Sequence, residues 1–180
     1  MHTKMHDSIL NTVYIALFAA LIAVCSWITI PVGVIPITLQ TMAVCITAGM
    51  LGPWRGTLTV AVWLAIGAVG MPVFSGFNSG IGALMGPTGG YLVGFLPMAL
   101  IIGGAAHLFK GKWYLLAASM VLGIAVLYTF GTAWFLILMG GKYTLGGALA
   151  ACVIPYIIPD LVKIALATLV CDRVGKIVRI

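Results

Sequence analysis

The chain has 180 residues, of which 63% are hydrophobic and only 7% are charged, and it carries a formal net charge of +6. Soluble domains are about a quarter charged, so this composition excludes an ordinary soluble protein. About six helical spans of roughly 20 residues each would use most of the chain, which leaves no room in these residues for a soluble catalytic or nucleotide-binding domain. We therefore expect an all-α membrane protein, a bundle of about six transmembrane helices that forms a single domain over residues 1–180.

The basic residues lie at the ends of apolar segments, which argues against a nucleic-acid surface and for topology signals. With an even number of spans, one side of the membrane holds seven of the nine lysines and arginines, namely Lys4, Arg55, Lys110, Lys112, Arg173, Lys176 and Arg179. The positive-inside rule then predicts that both termini are cytoplasmic. The connections at 31–41, 71–90 and 140–158 are therefore expected to face outward.

Residues 9–30 form the first predicted span. Its small residues Ala16, Ala19, Ala20 and Ala23 follow the i, i+3, i+4, i+7 spacing of one helix face. Small faces allow close helix approach in lipid. The spacing alone fits both docking of another protein's helix and packing within the same bundle.

The segment 31–41, PVGVIPITLQT, is predicted to be a loop or re-entrant hook because two prolines and a glycine oppose a regular helix. It ends in hydrogen-bonding side chains, including Gln40, at the head of a second span over 38–52. A tight turn at 52–56 with a positive charge then leads to a third span over 57–71. Both spans are short for a bilayer, so neither is required to run straight through it.

The glycine-rich segment 71–90, MPVFSGFNSGIGALMGPTGG, is the longest predicted non-helical piece. Irregular backbone at membrane depth is tolerated where it packs in protein or lines a polar cavity. Asn78 supplies both a donor and an acceptor there. The segment lacks charge and carries apolar side chains that favour a packed lid over a flexible loop: Phe74, Phe77, Ile81, Leu84 and Met85.

The remaining predicted spans are the fourth over 91–108, the fifth over 114–139 and the sixth over 159–174. Residues 144–154 are apolar and fit a short helix. Prolines at 155 and 159 predict a break near 155–159, because proline cannot continue a helix upstream but starts one well. We therefore expect Asp160 to lie in the first turn of a new helix.

Asp160 and Lys163 form an acid–base pair inside an apolar segment. Their spacing of three residues places them on one helix face, where each compensates the other's charge. A charge inside a membrane span costs roughly 2.5–3.5 kcal/mol on insertion scales, so such a pair is by default a functional hypothesis. A structural salt bridge that locks two spans together is the plain alternative.

Three outward connections converge on this pair, which predicts a binding pocket open to the outside. A carboxylate acceptor and an ammonium donor one turn apart suit a ligand with an N–H group beside a carbonyl, such as a urea or an amide, and apolar walls suit a small, partly apolar molecule. The sequence carries no Ser-His-Asp set, HExxH motif, paired-carboxylate site, metal-ligand spacing or cofactor motif, so we expect neither an enzyme nor a bound metal or cofactor. A proton-coupled carrier is the stronger rival, because an intramembrane Asp–Lys pair can relay protons.

Three motifs carry a family resemblance: PITLQT at 36–41, GPTGGYLVGF at 86–95 and PDLVK at 159–163. With these motifs in order along the whole chain, the sequence resembles the BioY family, the biotin-binding S components of energy-coupling factor (ECF) transporters. The resemblance implies a six-helix bundle in a bacterial plasma membrane that binds biotin near the outer face. It also implies a transmembrane T component and two ATPase subunits as partners. An S component for another vitamin, or a lone proton-coupled carrier, remains the alternative.

The resemblance also implies residue roles. Asn78, Asp160 and Lys163 match the positions that hold the biotin head group in the family. The pairs Ala16/Ala20 and Ala19/Ala23 match the small face on which such S components dock the T component. Gln40 and Tyr91 are added as substrate-binding candidates from their placement near the outer loops.

Overall fold

Helices make up most of the chain in the computed structural model. The structure describes the backbone of residues 2–33, 35–109 and 111–177. It describes the side chains of residues 9–33, 35–109 and 111–175. In chain order they are α1 (His2–Trp27), α2 (Gln40–Ala68), α3 (Ile81–Met85), α4 (Gly89–Leu108), α5 (Trp113–Met139), α6 (Leu145–Cys152) and α7 (Ile154–Ile177). A 3-10 turn at Ser75–Phe77 lies between α2 and α3.

Helices α2 and α4 connect the rest of the bundle. Helix α4 packs mainly against α2 and α5, and α2 also packs against α1 and α7. Among the described residues, four helical stretches are long and apolar enough to cross a bilayer: Ile9–Trp27, Gly89–Leu108, Trp113–Met139 and Leu145–Gly175. Large apolar side chains cover their outer surfaces, as in Ile137, which is 77% exposed. The all-helical bundle expected from the sequence is therefore present, with four full-length candidate spans.

Helix α2 is bent back on itself at Gly52, so it contributes two short arms, 40–51 and 53–68. Gly52 has φ 76° and ψ −172°, a conformation that L side chains rarely adopt, and Pro53 then begins the second arm. A methyl group at Gly56 would lie 2.9 Å from the Cα of Ala48, so the two arms are in close contact beside the elbow. The predicted turn at 52–56 is thus a sharp elbow, and each arm is shorter than the roughly 20 residues of a straight span.

The predicted hook at 31–41 includes the second strand of a small antiparallel hairpin, which is formed by β1 (Thr29–Ile30) and β2 (Ile37–Thr38). Thr29 pairs with Thr38, and Ile30 pairs with Ile37. Helix α1 accordingly ends at Trp27 and does not continue to residue 30, because Thr29 and Ile30 are β-branched residues that pair well in a strand. The hairpin leads the chain directly into the first arm of α2.

The prediction of a helix break near 155–159 is wrong. The interruption falls at Val153, and α7 begins at Ile154 and runs through Pro159. Pro155 lies in the first turn, where a backbone N–H has no helical acceptor, and Pro159 removes only the bond to the carbonyl of Pro155. Asp160 therefore lies in the second turn of α7 and not in the first.

The two ends of the bundle differ in character. The elbow of α2 lies close to Gly103 near the end of α4, and Gly49 lies against Cys171 near the end of α7. Arg55 and Arg173 are exposed at this end, as positive topology signals would be. Lys4, Lys110, Lys176 and Arg179 lie outside the residues whose side chains are described. The hairpin, the segment 71–90 and the start of α7 lie at the opposite end.

Candidate binding site

A cavity of about 560 Å³ lies at the end of the bundle opposite the elbow. Its walls are the hairpin, the head of α2, the segment 74–88, the first half of α4, the middle of α5, the end of α6 and the start of α7. Small-molecule pockets are typically about 300–1,000 Å³, with apolar walls and a few placed polar groups. The five binding residues predicted from the sequence all line this one cavity: Gln40, Asn78, Tyr91, Asp160 and Lys163.

Asp160 and Lys163 form a buried ion pair on one face of α7. The Lys163 Nζ donates to Asp160 Oδ1 at 2.7 Å. Lys163 is 7% exposed and Asp160 is 5% exposed. Such a pair costs much desolvation energy, so it persists only when further hydrogen bonds satisfy the remaining donors and acceptors. The neighbouring helices supply these bonds.

Thr41 and Tyr128 complete the network around the pair. Thr41 Oγ1, at the head of α2, donates to Asp160 Oδ1 at 3.4 Å and lies 3.3 Å from the Lys163 Nζ. Tyr128, in the middle of α5, donates its hydroxyl proton to Asp160 Oδ2 at 2.5 Å. Three helices thus hold one carboxylate in a fixed orientation at the cavity wall.

The network leaves hydrogen-bonding capacity for a ligand. An ammonium carries three N–H donors, and the described contacts of Lys163 use two of them, to Asp160 and Thr41. A carboxylate oxygen has two acceptor sites, and Asp160 Oδ2 accepts one described hydrogen bond, from Tyr128. The site can therefore donate to a ligand carbonyl and accept from an adjacent ligand N–H.

Gln40 and Asn78 add two amides to the cavity. Gln40 is 5% exposed, and its Nε2 has no hydrogen-bond partner in the described part of the chain. An unpaired buried donor is costly, so this amide is suited to a ligand acceptor. Asn78 is exposed at the cavity mouth, and its Nδ2 donates to the Ser75 carbonyl at 2.9 Å, which leaves Oδ1 as the atom for a ligand N–H.

Two tyrosines line the side of the cavity near α6 and α7. The Tyr91 hydroxyl donates to the Cys152 carbonyl at 3.2 Å, and the Tyr156 hydroxyl donates to the Ile35 carbonyl in the hairpin. Gly131 of α5 lies directly under the Tyr91 ring, so that a methyl group there would overlap it. These contacts fix the aromatic walls and connect the hairpin to α7.

The segment 71–90 covers one side of the cavity and is packed only in part. Phe74 is 2% exposed and meets Trp63 edge to face at 5.2 Å. Phe77 is 61% exposed but stacks on Trp27, with ring centroids 5.2 Å apart. Ile81 and Met85 are exposed, so the segment predicted to be a packed lid is packed at Phe74 and not at these two residues.

The small face of α1 divides into two halves. Ala19 and Ala23 are 5% and 7% exposed and pack inside the bundle, so they are unavailable to a partner in this structure. Ala16 and Ala20 are exposed. The part of the predicted docking face that another helix can reach is therefore the Ala16/Ala20 pair.

The family follows from comparison with known sequences. The model of the BioY family matches residues 1–180. The chain belongs to the BioY family.

Known BioY relatives and a solved structure agree with this membership. The chain is 40% identical over 162 residues to the biotin transporter BioY of Thermotoga maritima, covering 89% of this chain and 93% of the relative. It is 35% identical over 168 residues to the biotin transporter BioY2 of Lactococcus lactis, covering 93% and 89% of the two chains. The crystal structure of the S-component for biotin from an ECF-type ABC transporter superposes with a TM-score of 0.87 at 27% identity, covering 95% of this chain and 93% of that one. The predicted all-α membrane fold and the family resemblance are thus confirmed.

Sequence reasoning did not assign a site role to Thr41, Tyr128 or Tyr156 of this BioY chain. Thr41 carried a signal, since it is a hydroxyl at the head of a short span. Tyr156 lies four residues before Asp160, one helical turn away, once α7 is known to begin at Ile154. Tyr128 is one aromatic residue within an apolar span, and only the packing of α5 against α7 shows that its hydroxyl reaches Asp160.

Proposed function

We propose that this BioY chain is the biotin-binding S component of an ECF-type ABC transporter, which captures biotin from the outside for uptake. The observation that carries the proposal is the buried Asp160–Lys163 pair, which faces a cavity of about 560 Å³ with spare hydrogen-bonding capacity. The names of the relatives and of the superposed S component support biotin as the ligand. The chain is a transporter component and not an enzyme.

Biotin has the chemistry that this cavity can accept. Its ureido ring offers two N–H donors that flank one carbonyl. Asp160 accepts from one N–H and Asn78 from the other, while Lys163 and Gln40 donate to the carbonyl. The apolar walls formed by Phe74, Leu92, Phe95 and Leu127 suit the sulfur ring and the aliphatic chain, whereas Tyr91 adds an aromatic surface beside them.

The same proposal assigns the assembly and the location. The whole chain, residues 1–180, acts as one multi-pass substrate-binding domain in a bacterial plasma membrane, with both termini on the cytoplasmic side. A transmembrane T component and two cytoplasmic ATPase subunits complete the transporter, and ATP-driven movement of the bundle exposes the site to the inside. The exposed pair Ala16/Ala20 on α1 offers the T component a smooth helix face.

Calorimetric titration of the detergent-purified chain tests the ligand. Biotin is expected to bind at one site per chain, desthiobiotin to bind because it retains the ureido ring, and thiamine to give no heat of binding. Tight binding of a vitamin without a cyclic urea, and none of biotin, would contradict the proposal. Biotin uptake by the lone chain that an uncoupler abolishes would instead favour a proton-coupled carrier.

A further inference from the structure

We propose that Tyr128 is a positioning residue that sets how Asp160 meets the ligand, and thereby a determinant of ligand specificity. The inference rests on the proposed function, since it concerns the head group that Asp160 receives. It assigns a role to a residue of α5, which none of the three family motifs includes.

The geometry around Asp160 points to this role. Its Oδ1 is occupied by Lys163 at 2.7 Å and by Thr41 at 3.4 Å. Its Oδ2 receives the Tyr128 hydroxyl at 2.5 Å, a distance typical of a strong charge-assisted hydrogen bond. With both acceptor sites of Oδ1 and one of Oδ2 filled, one acceptor site remains.

A carboxylate with one open acceptor site discriminates between ligands. It receives a single N–H, as a cyclic urea presents to it when the carbonyl faces Lys163. It cannot receive the two parallel N–H groups of a guanidinium or amidinium, which require both oxygens. Lys163 and Thr41 exclude the fork by filling Oδ1. Tyr128 limits Oδ2 to one ligand N–H and, by donating to it, disperses its negative charge, so it disfavours a cationic ligand relative to a neutral urea.

Tyr128 also forms part of the boundary between two spaces. Tyr128 and Asp160 line the cavity of about 560 Å³ on one side and a smaller apolar groove of about 140 Å³ on the other. The groove is otherwise walled by apolar side chains of α5 and α7: Val121, Ile124, Ala125, Ile157, Leu161 and Ile164. A phenylalanine at 128 keeps this boundary and removes only the hydroxyl, so Tyr128→Phe isolates the hydrogen bond.

Infrared spectroscopy can observe the hydrogen bond itself, because the chain has only three acidic residues. In ligand-free full-length protein labelled with ¹³C-carboxyl aspartate, the carboxylate band that is missing from Asp160→Asn belongs to Asp160. We expect Tyr128→Phe to shift this band, and Tyr114→Phe, which changes an exposed tyrosine at the start of α5 outside the cavity lining, to leave it in place. An unshifted Asp160 band in Tyr128→Phe would overturn the proposal.

Selectivity tests the consequence for the ligand. Biotin and 2-iminobiotin, its cyclic guanidine analogue, are titrated into wild type, Tyr128→Phe and Tyr114→Phe. Tyr128→Phe is expected to bind biotin about tenfold more weakly while the ratio of biotin to 2-iminobiotin affinity falls. Tyr114→Phe is expected to keep the wild-type ratio.

The outcomes separate the two proposals. Equal losses for both ligands in Tyr128→Phe would make Tyr128 a purely structural residue and contradict the inference. A wild-type chain that binds no biotin would contradict the proposed function instead, whereas the infrared result would still decide whether Tyr128 positions Asp160.

Discussion

Thr41 and Asp160 are 119 residues apart in the sequence, yet the Thr41 hydroxyl donates to the Asp160 carboxylate at 3.4 Å. The same hydroxyl accepts from Lys163 at 3.3 Å. This contact joins the head of α2 to the second turn of α7, at the end of the bundle where the hairpin and the glycine-rich segment also lie. The charged pair is therefore held by tertiary structure and not by its own helix alone.

Asp160→Asn is expected to keep the fold and lose most of the biotin affinity. The amide is an ambiguous partner for the ureido N–H, and it leaves the Lys163 ammonium buried without its counter-charge. Breaking a buried pair by removing one partner costs about 3–5 kcal/mol of stability. Calorimetric titration and thermal unfolding of the purified variant measure the two effects.

The double variant Asp160→Asn with Lys163→Gln separates binding from stability. It removes both charges, so the thermal stability should recover relative to Asp160→Asn while biotin affinity stays low. Affinity that returns together with stability would show that the pair serves only to hold the helices together.

Gly131→Ala is expected to weaken biotin binding by displacing the Tyr91 ring. The added methyl group would overlap that ring, and overpacking of this kind typically costs about 1–3 kcal/mol. Gly104→Ala is the matched control, because a methyl group there meets nothing within 4 Å. Biotin titration and thermal unfolding of both variants test the prediction, and equal behaviour of the two would contradict it.

Phe77→Ala is expected to raise the dissociation rate of biotin severalfold. Its ring stacks on Trp27 at 5.2 Å, and such a pair adds about 0.5–1.5 kcal/mol beyond area burial. The stack connects the segment that carries Asn78 to the end of α1. Ile81→Ala removes an equally exposed apolar side chain of the same segment without a ring partner, and stopped-flow dissociation should leave its rate near that of wild type.

Ala16→Leu combined with Ala20→Leu is expected to spare biotin binding and block assembly with the T component. Two leucines would fill the close-approach surface on the outer side of α1. The control variant is Ala118→Leu combined with Ala165→Leu, which changes two other exposed alanines. Co-purification with the T component at the wild-type level by the α1 variant would refute the docking role.

Much of the candidate site could be predicted because a charged pair in an apolar span is energetically expensive. Asp160 and Lys163 could be identified from that cost alone, and the Gly-Pro step at 52–53 correctly predicted a reversal of the chain. The predicted start of α7 was too late in the chain. The first two turns of this helix accommodate Pro155 and Pro159, so neither proline ends or delays it.

Residue spacing could not divide the α1 alanines into buried and exposed pairs. Ala19 and Ala23 are buried because α2 packs on their side of α1, and only the tertiary arrangement decides which side that is. The partnership of Tyr128 with Asp160 was hidden for the same reason. A hydroxyl in an apolar span has no preferred partner until the packing of helices is known.

A structure of the full-length chain with bound biotin tests the central claim most directly. We expect the ureido ring to lie within hydrogen-bond distance of Asp160, Lys163 and Asn78, with its carbonyl toward the Lys163 ammonium. Biotin bound in the cavity with its head group away from an undisturbed Asp160–Lys163 pair, or bound outside the cavity, would contradict the account.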